Sequence, residues 1–292
     1  MERAVRRLEA AGVTDARWDA EELLEWAGGP DRTHFPLLRD AALSEKAAVR
    51  LEEGLRLREK RVPLQQITGT AWFMGLPFYV NEKVLCPRQD TERLTERALE
   101  ILRESGNPAP RVLDLCCGSG CIGISLARLM PGIRAVLSDL SEEALQTARA
   151  NAERNGVSAQ LRFARGDLLD ARTEDGLPLP ERFDLICCNP PYIPSGEISS
   201  LMPEVREHEP RLALDGGTDG LDLYRRLAAS WIRDGSGKKA EKKATAPVLL
   251  LEIGCEQGEA VRTIFETGLP CTVTVLRDLA GLDRVAEVRM RD

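Results

Sequence analysis

The sequence predicts an α/β protein: a seven-stranded, doubly wound sheet preceded by a small helical N-terminal domain and a β-hairpin linker. Three observations lead there. From about Thr91 onward, short apolar runs alternate with helical stretches, the pattern of a parallel sheet with helices on both faces. The strand-like run Val112–Leu115 enters a tight glycine turn that opens a helix. Ahead of residue 72 the apolar positions follow a helical spacing.

Taken in order, residues 1–71 read as helices. Gly28-Gly29 closes one, Ser44 caps the next, and Ala47, Leu51 and Leu55 recur every four residues until Pro63 ends it. Residues 72–90 change character. Phe78 and Val80 alternate with other residues, Gly75 and Pro77 punctuate, and Asn81–Lys83 forms a turn before Val84 and Leu85, a short hairpin that connects two domains. Asp90 or Thr91 then caps the first helix of a domain spanning 91–292. Its strands are expected at Arg111–Leu115, Ala135–Ser138, Gln160–Ala164, Asp184–Cys188, Val248–Ile253, Thr272–Leu276 and Val285–Met290. The last two leave no room for a helix between them, so the final strand should return antiparallel. Asp234–Pro247, reading DGSGKKAEKKATAP, has no apolar anchor and is expected to be a mobile surface loop, with a basic contact to a partner or RNA as the sharper alternative.

Composition narrows the function. A chain of 292 residues can bury a substantial core as one large domain or two unequal ones. Its longest apolar runs, Val248–Leu251 and Ile122–Met130, are far shorter than the roughly 20 residues that cross a bilayer, so no membrane span is expected. Met1–Ala11 is charged and amphipathic rather than signal-like, which predicts a cytoplasmic protein. A formal net charge of −7 opposes broad attraction to nucleic acid. The eight cysteines mostly sit in apolar segments and are expected reduced. Cys116, Cys117, Cys187 and Cys188 end neighbouring strands and raise the question of zinc or a redox pair. Adjacent cysteines rarely chelate one tetrahedral ion, so buried structural thiols are the favoured reading and no metal is expected. His34 and His208 lie outside any ligand-like cluster.

The turn in VLDLCCGSGCIGISLA (Val112–Ala127) lies where open α/β sheets bind ligands, outside the carboxyl ends of the strands. Gly118 and Gly120 are read as letting the backbone approach a nucleotide-like cofactor. Asp139, nineteen residues after Gly120 at the end of the next strand, is placed to accept both ribose hydroxyls. Asp167, after the third strand, is placed to bind the adenine amino group. Cys116 and Cys121 stand where a dinucleotide fingerprint needs glycines, whereas S-adenosylmethionine has no phosphates to cradle and tolerates the departure.

The chemistry centres on NPPY, Asn189–Tyr192, directly after the strand that should neighbour the first. An amide nitrogen is a poor nucleophile because its lone pair is delocalised. The Asn189 side-chain oxygen and the Pro190 carbonyl are placed to accept the two N–H bonds of a planar NH2 group beside the cofactor's methyl. Pro190 and Pro191 stiffen the segment, and Tyr192 is expected to pack against the target.

In these residues the sequence closely resembles the glutamine N5-methyltransferases that modify the GGQ motif of peptide chain release factors. The likeness runs from about Pro63 onward through PLQQITG (Pro63–Gly69), VLCPRQDTE (Val84–Glu92), the glycine turn, DLSEEALQTARANAERNG (Asp139–Gly156), NPPYIP, EHEPRLALDGGTDGLDLYRRL (Glu207–Leu227) and LLLEIGCEQG (Leu249–Gly258). It implies the methyltransferase (Rossmann-like) variant of the doubly wound fold, with residues 1–71 binding the release factor. S-adenosyl-L-methionine would be held by Cys116, Cys117, Gly118, Ser119, Gly120, Asp139, Leu168 and Asn189, and Asn189, Pro190, Pro191 and Tyr192 would hold the target glutamine. A monomer without stable nucleic-acid binding is expected. Three departures stand out: Cys116-Cys117 for the usual Gly-Thr, Gln89 for a proline, and the Lys-rich insertion before Val248.

NPPY is shared with enzymes that methylate adenine N6, so the alternative reading is an adenine-N6 methyltransferase acting on DNA or RNA, which would have to extrude the base. Acidic charge and the lack of an evident recognition domain count against it. A cofactor-binding protein without catalysis is a third reading, opposed by the intact Asn189 and Tyr192.

Overall fold

The structure, a computed structural model, describes residues 1–30, 34, 42–180, 182–233 and 246–291. It divides into two units, Met1–Thr70 with Leu201–His208, and Ala71–Ser200 with Glu209–Asp292. The segment Asp234–Pro247, expected as a loop, lies outside the described residues up to residue 245.

The first unit is helical: α1 (Glu2–Ala10), α2 (Ala16–Trp26), α3 (Glu45–Glu59), α4 (Leu64–Thr68) and the single turn α8 (Pro203–Arg206). Val5, Leu8, Leu23, Leu55 and Ile67 meet in its core. Ser44 caps α3 by accepting from the Ala47 N–H at 3.2 Å. That helix ends at Glu59, earlier than Pro63; Arg61 takes a left-handed φ of +64°, and Pro63 instead serves as N-cap of α4. Inside the unit Arg58 bonds Asp19 at 2.6 Å and Glu204 at 2.9 Å, and Arg61 grips Glu204 through two bonds of 2.7 Å.

The second unit opens with a hairpin, β1 (Ala71–Phe73) and β2 (Leu76–Phe78). Met74 and Gly75 between them both have positive φ, 51° and 72°, as a two-residue turn of matching twist requires. The hairpin therefore turns earlier than expected, and the Asn81–Lys83 turn leads into an irregular segment, not a strand. Helix α5 (Gln89–Glu104) has Arg88 at its N-cap position with no side-chain cap bond. Asp90 and Thr91 are therefore not the cap. Asp90 sits in the first turn, where a carboxylate complements the exposed N–H groups.

The sheet runs β6-β5-β4-β3-β7-β8-β10-β9. Its members are β3 (Arg111–Leu115), β4 (Arg134–Asp139), β5 (Leu161–Arg165), β6 (Arg172–Thr173), β7 (Leu185–Cys188), β8 (Val248–Glu252), β9 (Cys271–Arg277) and β10 (Asp283–Met290). The pairs from β5 through β8 are parallel, and β10 is antiparallel to both β8 and β9. Beyond the seven expected strands, the two-residue β6 adds an antiparallel edge. Alternation splits the apolar side chains between two faces. Val112, Leu137 and Leu185 pack with Leu94 of α5, Ile124 of α6 (Cys121–Leu129) and Leu145 of α7 (Glu142–Arg154). Leu113, Ile186 and Leu251 pack with Tyr224 of α9 (Asp222–Arg233) and Phe265 of α10 (Gly258–Gly268). Among the described residues no helix is long and apolar enough to cross a membrane.

Candidate active site

A cavity opens at the carboxyl ends of β3, β4, β5 and β7, where a doubly wound sheet leaves a crevice. Cys116, Cys117, Gly118, Ser119, Asp139, Asp167, Leu168, Asn189 and Pro191 line it. Residues 83–88, Thr91, Pro210, Leu212, Ala213, Leu223 and Arg226 are also part of the wall. Gly120, Pro190 and Tyr192, expected in the site, are not part of that wall.

The glycine turn explains part of the difference. At Gly118, φ is +52° and an added Cβ would meet nothing within 4 Å, so the backbone there faces open space. Gly120 is a glycine for another reason. A Cβ on it would lie 2.8 Å from Ile124, 3.0 Å from Leu137 and 3.1 Å from Ala148, so it permits helix and strand to pack rather than a ligand to approach. Cys116, standing where the resembling family has glycine, carries a φ of +55°. A side chain in that region costs roughly 1 kcal/mol.

Asp139 closes the turn from the next strand. One carboxylate oxygen accepts from the Gly118 N–H and the other from the Ser141 N–H, both at 2.9 Å. Burial raises its pKa, and the bonds from Ser141 and Gly118 pull against that rise. A carboxylate offers about four acceptor positions, so each oxygen keeps room for one further hydroxyl. Beneath the turn, Asp114 on β3 is fully buried and accepts the Gly123 N–H of α6 at 2.8 Å. Burial pushes its carboxyl up to about 7. Asn151 of α7 holds the Ser119 carbonyl at 2.9 Å. On the far wall, Asp167 pairs with Arg226 of α9.

At the end of β7, Asn189 donates from its side-chain nitrogen to the Thr91 hydroxyl at 3.3 Å. Among the described residues nothing donates to its side-chain oxygen. Pro190 is buried. Tyr192 is not among the lining residues, and its hydroxyl donates to Glu252 at 3.3 Å, which anchors the end of the ring. The Tyr192 carbonyl accepts from Gln257 at 2.9 Å. Opposite the motif runs the segment Leu214–Gly220. It exchanges backbone bonds with Ile193 and Ser195, and a Cβ on Gly220 would come within 2.2 Å of the Tyr192 carbonyl.

Residues that motif reading left without a role do much of this holding. Glu209, its side chain fully buried, accepts from the Cys86 N–H at 3.2 Å and from Arg88 at 2.6 Å, joining two sides of the cavity. Gln257, Gly216, Gly220 and Glu252 belong to the DGGTDG and LLLEIGCEQG runs. A carboxylate ending an aliphatic strand and glycines packed close together were visible signals there.

Two family models match the chain, the PrmC N-terminal domain over residues 1–69 and the methyltransferase small domain over residues 91–207. The release factor glutamine methyltransferase of Cereibacter sphaeroides is 40% identical over 287 residues, covering 98% of this chain and 96% of that protein. That of Moorella thermoacetica is 40% identical over 285 residues, covering 96% and 94%. Among solved structures, the hMettl16 catalytic domain in complex with a MAT2A 3′UTR hairpin superposes with a TM-score of 0.54 at 17% identity, over 85% of this chain and 83% of that one, a likeness of fold. The sheet order, the glycine turn and the cavity above them define an S-adenosylmethionine-dependent methyltransferase. Within that class, the chain belongs to the release factor glutamine methyltransferase family.

Proposed function

We propose that the protein transfers the methyl group of S-adenosyl-L-methionine to the side-chain amide nitrogen, N5, of the glutamine in the GGQ motif of peptide chain release factors. The bound cofactor supplies an electrophilic methyl on sulfur; the rest falls to this chain. Residues 116–119 give the cofactor an open backbone edge, Asp139 takes the ribose hydroxyls with its free acceptor positions, and Asp167 and Leu168 flank the adenine. The Asn189 side-chain oxygen and the Pro190 carbonyl accept the two N–H bonds of the target amide, Pro191 stiffens the loop, and Tyr192 sets its course from behind. Acceptors fixed in advance favour a pyramidal nitrogen without reorganising when the reaction occurs.

The observation that carries this is the Asn189 hydrogen bond. With its nitrogen given to Thr91, the side chain has its oxygen left for a donor in the wall of a cavity that also contains Asp139. Residues 1–71 are the release-factor-binding domain, 72–90 the linker and 91–292 the methyltransferase domain, a division supported by the separate family matches to 1–69 and 91–207. The protein acts as a monomer in the cytoplasm, and its net charge of −7 argues against a stable hold on nucleic acid.

The test is incubation with labelled cofactor and purified release factor, followed by mass spectrometry to locate the methyl. Asn189→Ala should keep cofactor affinity and lose about 10²- to 10³-fold in rate. A near-normal rate in that variant, or a methyl found elsewhere, would remove the proposal.

A further inference from the structure

We infer that Glu252 is a positioning residue, a buried carboxylate that orders the Tyr192 and Thr91 hydroxyls and thereby turns the Asn189 side-chain oxygen toward the reacting amide. It rests on the reading that Asn189 holds that amide.

Glu252 ends β8, otherwise Val-Leu-Leu-Leu, and is only 2% exposed. In the parallel register Leu251 pairs with Cys188, so Glu252 and Asn189 step off adjacent strands at the same level. Its backbone is fixed there, since the Tyr224 hydroxyl donates to its carbonyl at 2.7 Å. One carboxylate oxygen accepts from Tyr192, and the other is buried without a hydrogen bond of good geometry. Thr91 stands beside the carboxylate, near enough to lower its pKa, and is itself 2% exposed. An unsatisfied buried oxygen is costly, so it draws the nearest available proton.

A hydroxyl has one proton and two lone pairs. Once Thr91 turns its proton to Glu252, it can only accept from Asn189. That forces the Asn189 nitrogen toward Thr91 and the oxygen away from it. Were Glu252 a donor instead, Thr91 could turn its proton to Asn189 and the amide would be free to flip, presenting N–H groups to the N–H groups of the substrate. Among the described residues no cation lies within salt-bridge distance of Glu252, so its carboxylate is not there to complete an ion pair. The charged and titratable groups facing it are Asp90 of α5, Arg284 of β10, Tyr192 after β7, Cys121 of α6 and Tyr224 of α9. Burial, opposed by Thr91, Arg284 and Tyr192, raises its carboxyl to about 7. Ionised, it accepts both hydroxyls; protonated, it becomes a donor, so kcat should fall as pH drops through about 7.

The experiment measures kcat, KM and the pH profile with purified release factor, and cofactor affinity by calorimetry, for Glu252→Gln, Thr91→Val, Thr91→Ser and the Glu252→Gln/Thr91→Val double variant. Glu252→Gln and Thr91→Val should each lower kcat by about 10- to 100-fold, the scale of a misplaced reacting group, with KM and cofactor affinity within about twofold. The double variant should be no slower than the slower single, Thr91→Ser should recover the rate, and the fall near pH 7 should vanish in Glu252→Gln. If Glu252→Gln fails to fold, the Thr91→Val and Thr91→Ser pair decides. Normal kcat in Glu252→Gln and Thr91→Val alongside an inactive Asn189→Ala would overturn this inference and leave the proposed function standing. So would effects that multiply, or a slow enzyme that has also lost cofactor affinity. Activity retained in Asn189→Ala would instead defeat the reading on which it rests.

Discussion

In the helical unit a buried arginine meets buried carboxylates: Arg58 lies between Asp19 and Glu204, and Arg61 adds a second cation to Glu204. In the sheet unit Asp114 and Glu252 are buried as deeply, yet among the described residues neither has a cation within salt-bridge distance. The chemical results differ. Burial raises Asp19 while Arg58 pulls it back, and against burial the bonds from Arg61 and Arg58 hold Glu204 below its ordinary value. Asp114 and Glu252 rise to about 7. Paired burial keeps charges fixed and so fixes geometry. Unpaired burial creates groups that change state near neutrality, and both lie beneath the two turns on which the site is built.

The largest expected effect comes from breaking the paired cluster. Arg58→Met leaves Asp19 buried without a partner, and guanidinium unfolding should show a loss of about 3–5 kcal/mol, largely recovered when Asp19→Leu is added. A loss below about 1 kcal/mol would mean the two clusters are not different in kind.

Next comes the pH dependence of Asp114. Its folded pKa of about 7 lies above the unfolded carboxylate value, so the folded state holds the proton more tightly and stability is full below about pH 4. That contribution is lost as pH rises through about 7. Asp114→Asn cannot ionise, so wild type should lose on the order of 4 kcal/mol relative to it between those limits. Parallel stability curves for the two proteins would erase the distinction.

The smallest effect is expected at an exposed ion pair. Arg226 and Asp167 form an ion pair, but both side chains are 49% exposed. Arg226→Ala should change stability by less than about 1 kcal/mol, read by thermal unfolding. A loss approaching that of Arg58→Met would show that burial is not what separates these charges.

How much of this was legible in the sequence depended on whether the signal was periodic or merely close in space. Strands buried on both faces read as apolar runs, and β3 and β8 are visible for that reason. The antiparallel return of β10 followed from the short gap after β9. The two-residue β6 has no period to read, and the start of α5 was misplaced because Asp90 serves the first turn without capping it. In the site, NPPY and Asp139 announced themselves by residue type after a strand. The role of Gly120 and the direction of Tyr192 did not, since both are set by side chains distant in sequence: Leu137 and Ala148 for one, Glu252 for the other. Thr91 was noticed only as a cap candidate, because nothing in QDTE signals an asparagine that lies 98 residues on.

The interleaved place of β10 sets an order on the protein's birth. Strand β8 is made before β9, yet its outer neighbour is β10, so the backbone edge of Val248–Glu252 has no partner until Asp283–Met290 has also been synthesised. A nascent or clipped chain lacking that last ribbon exposes an aliphatic edge of the kind that recruits strands from other molecules. Burying Glu252 and guarding the chain against aggregation therefore become one late event.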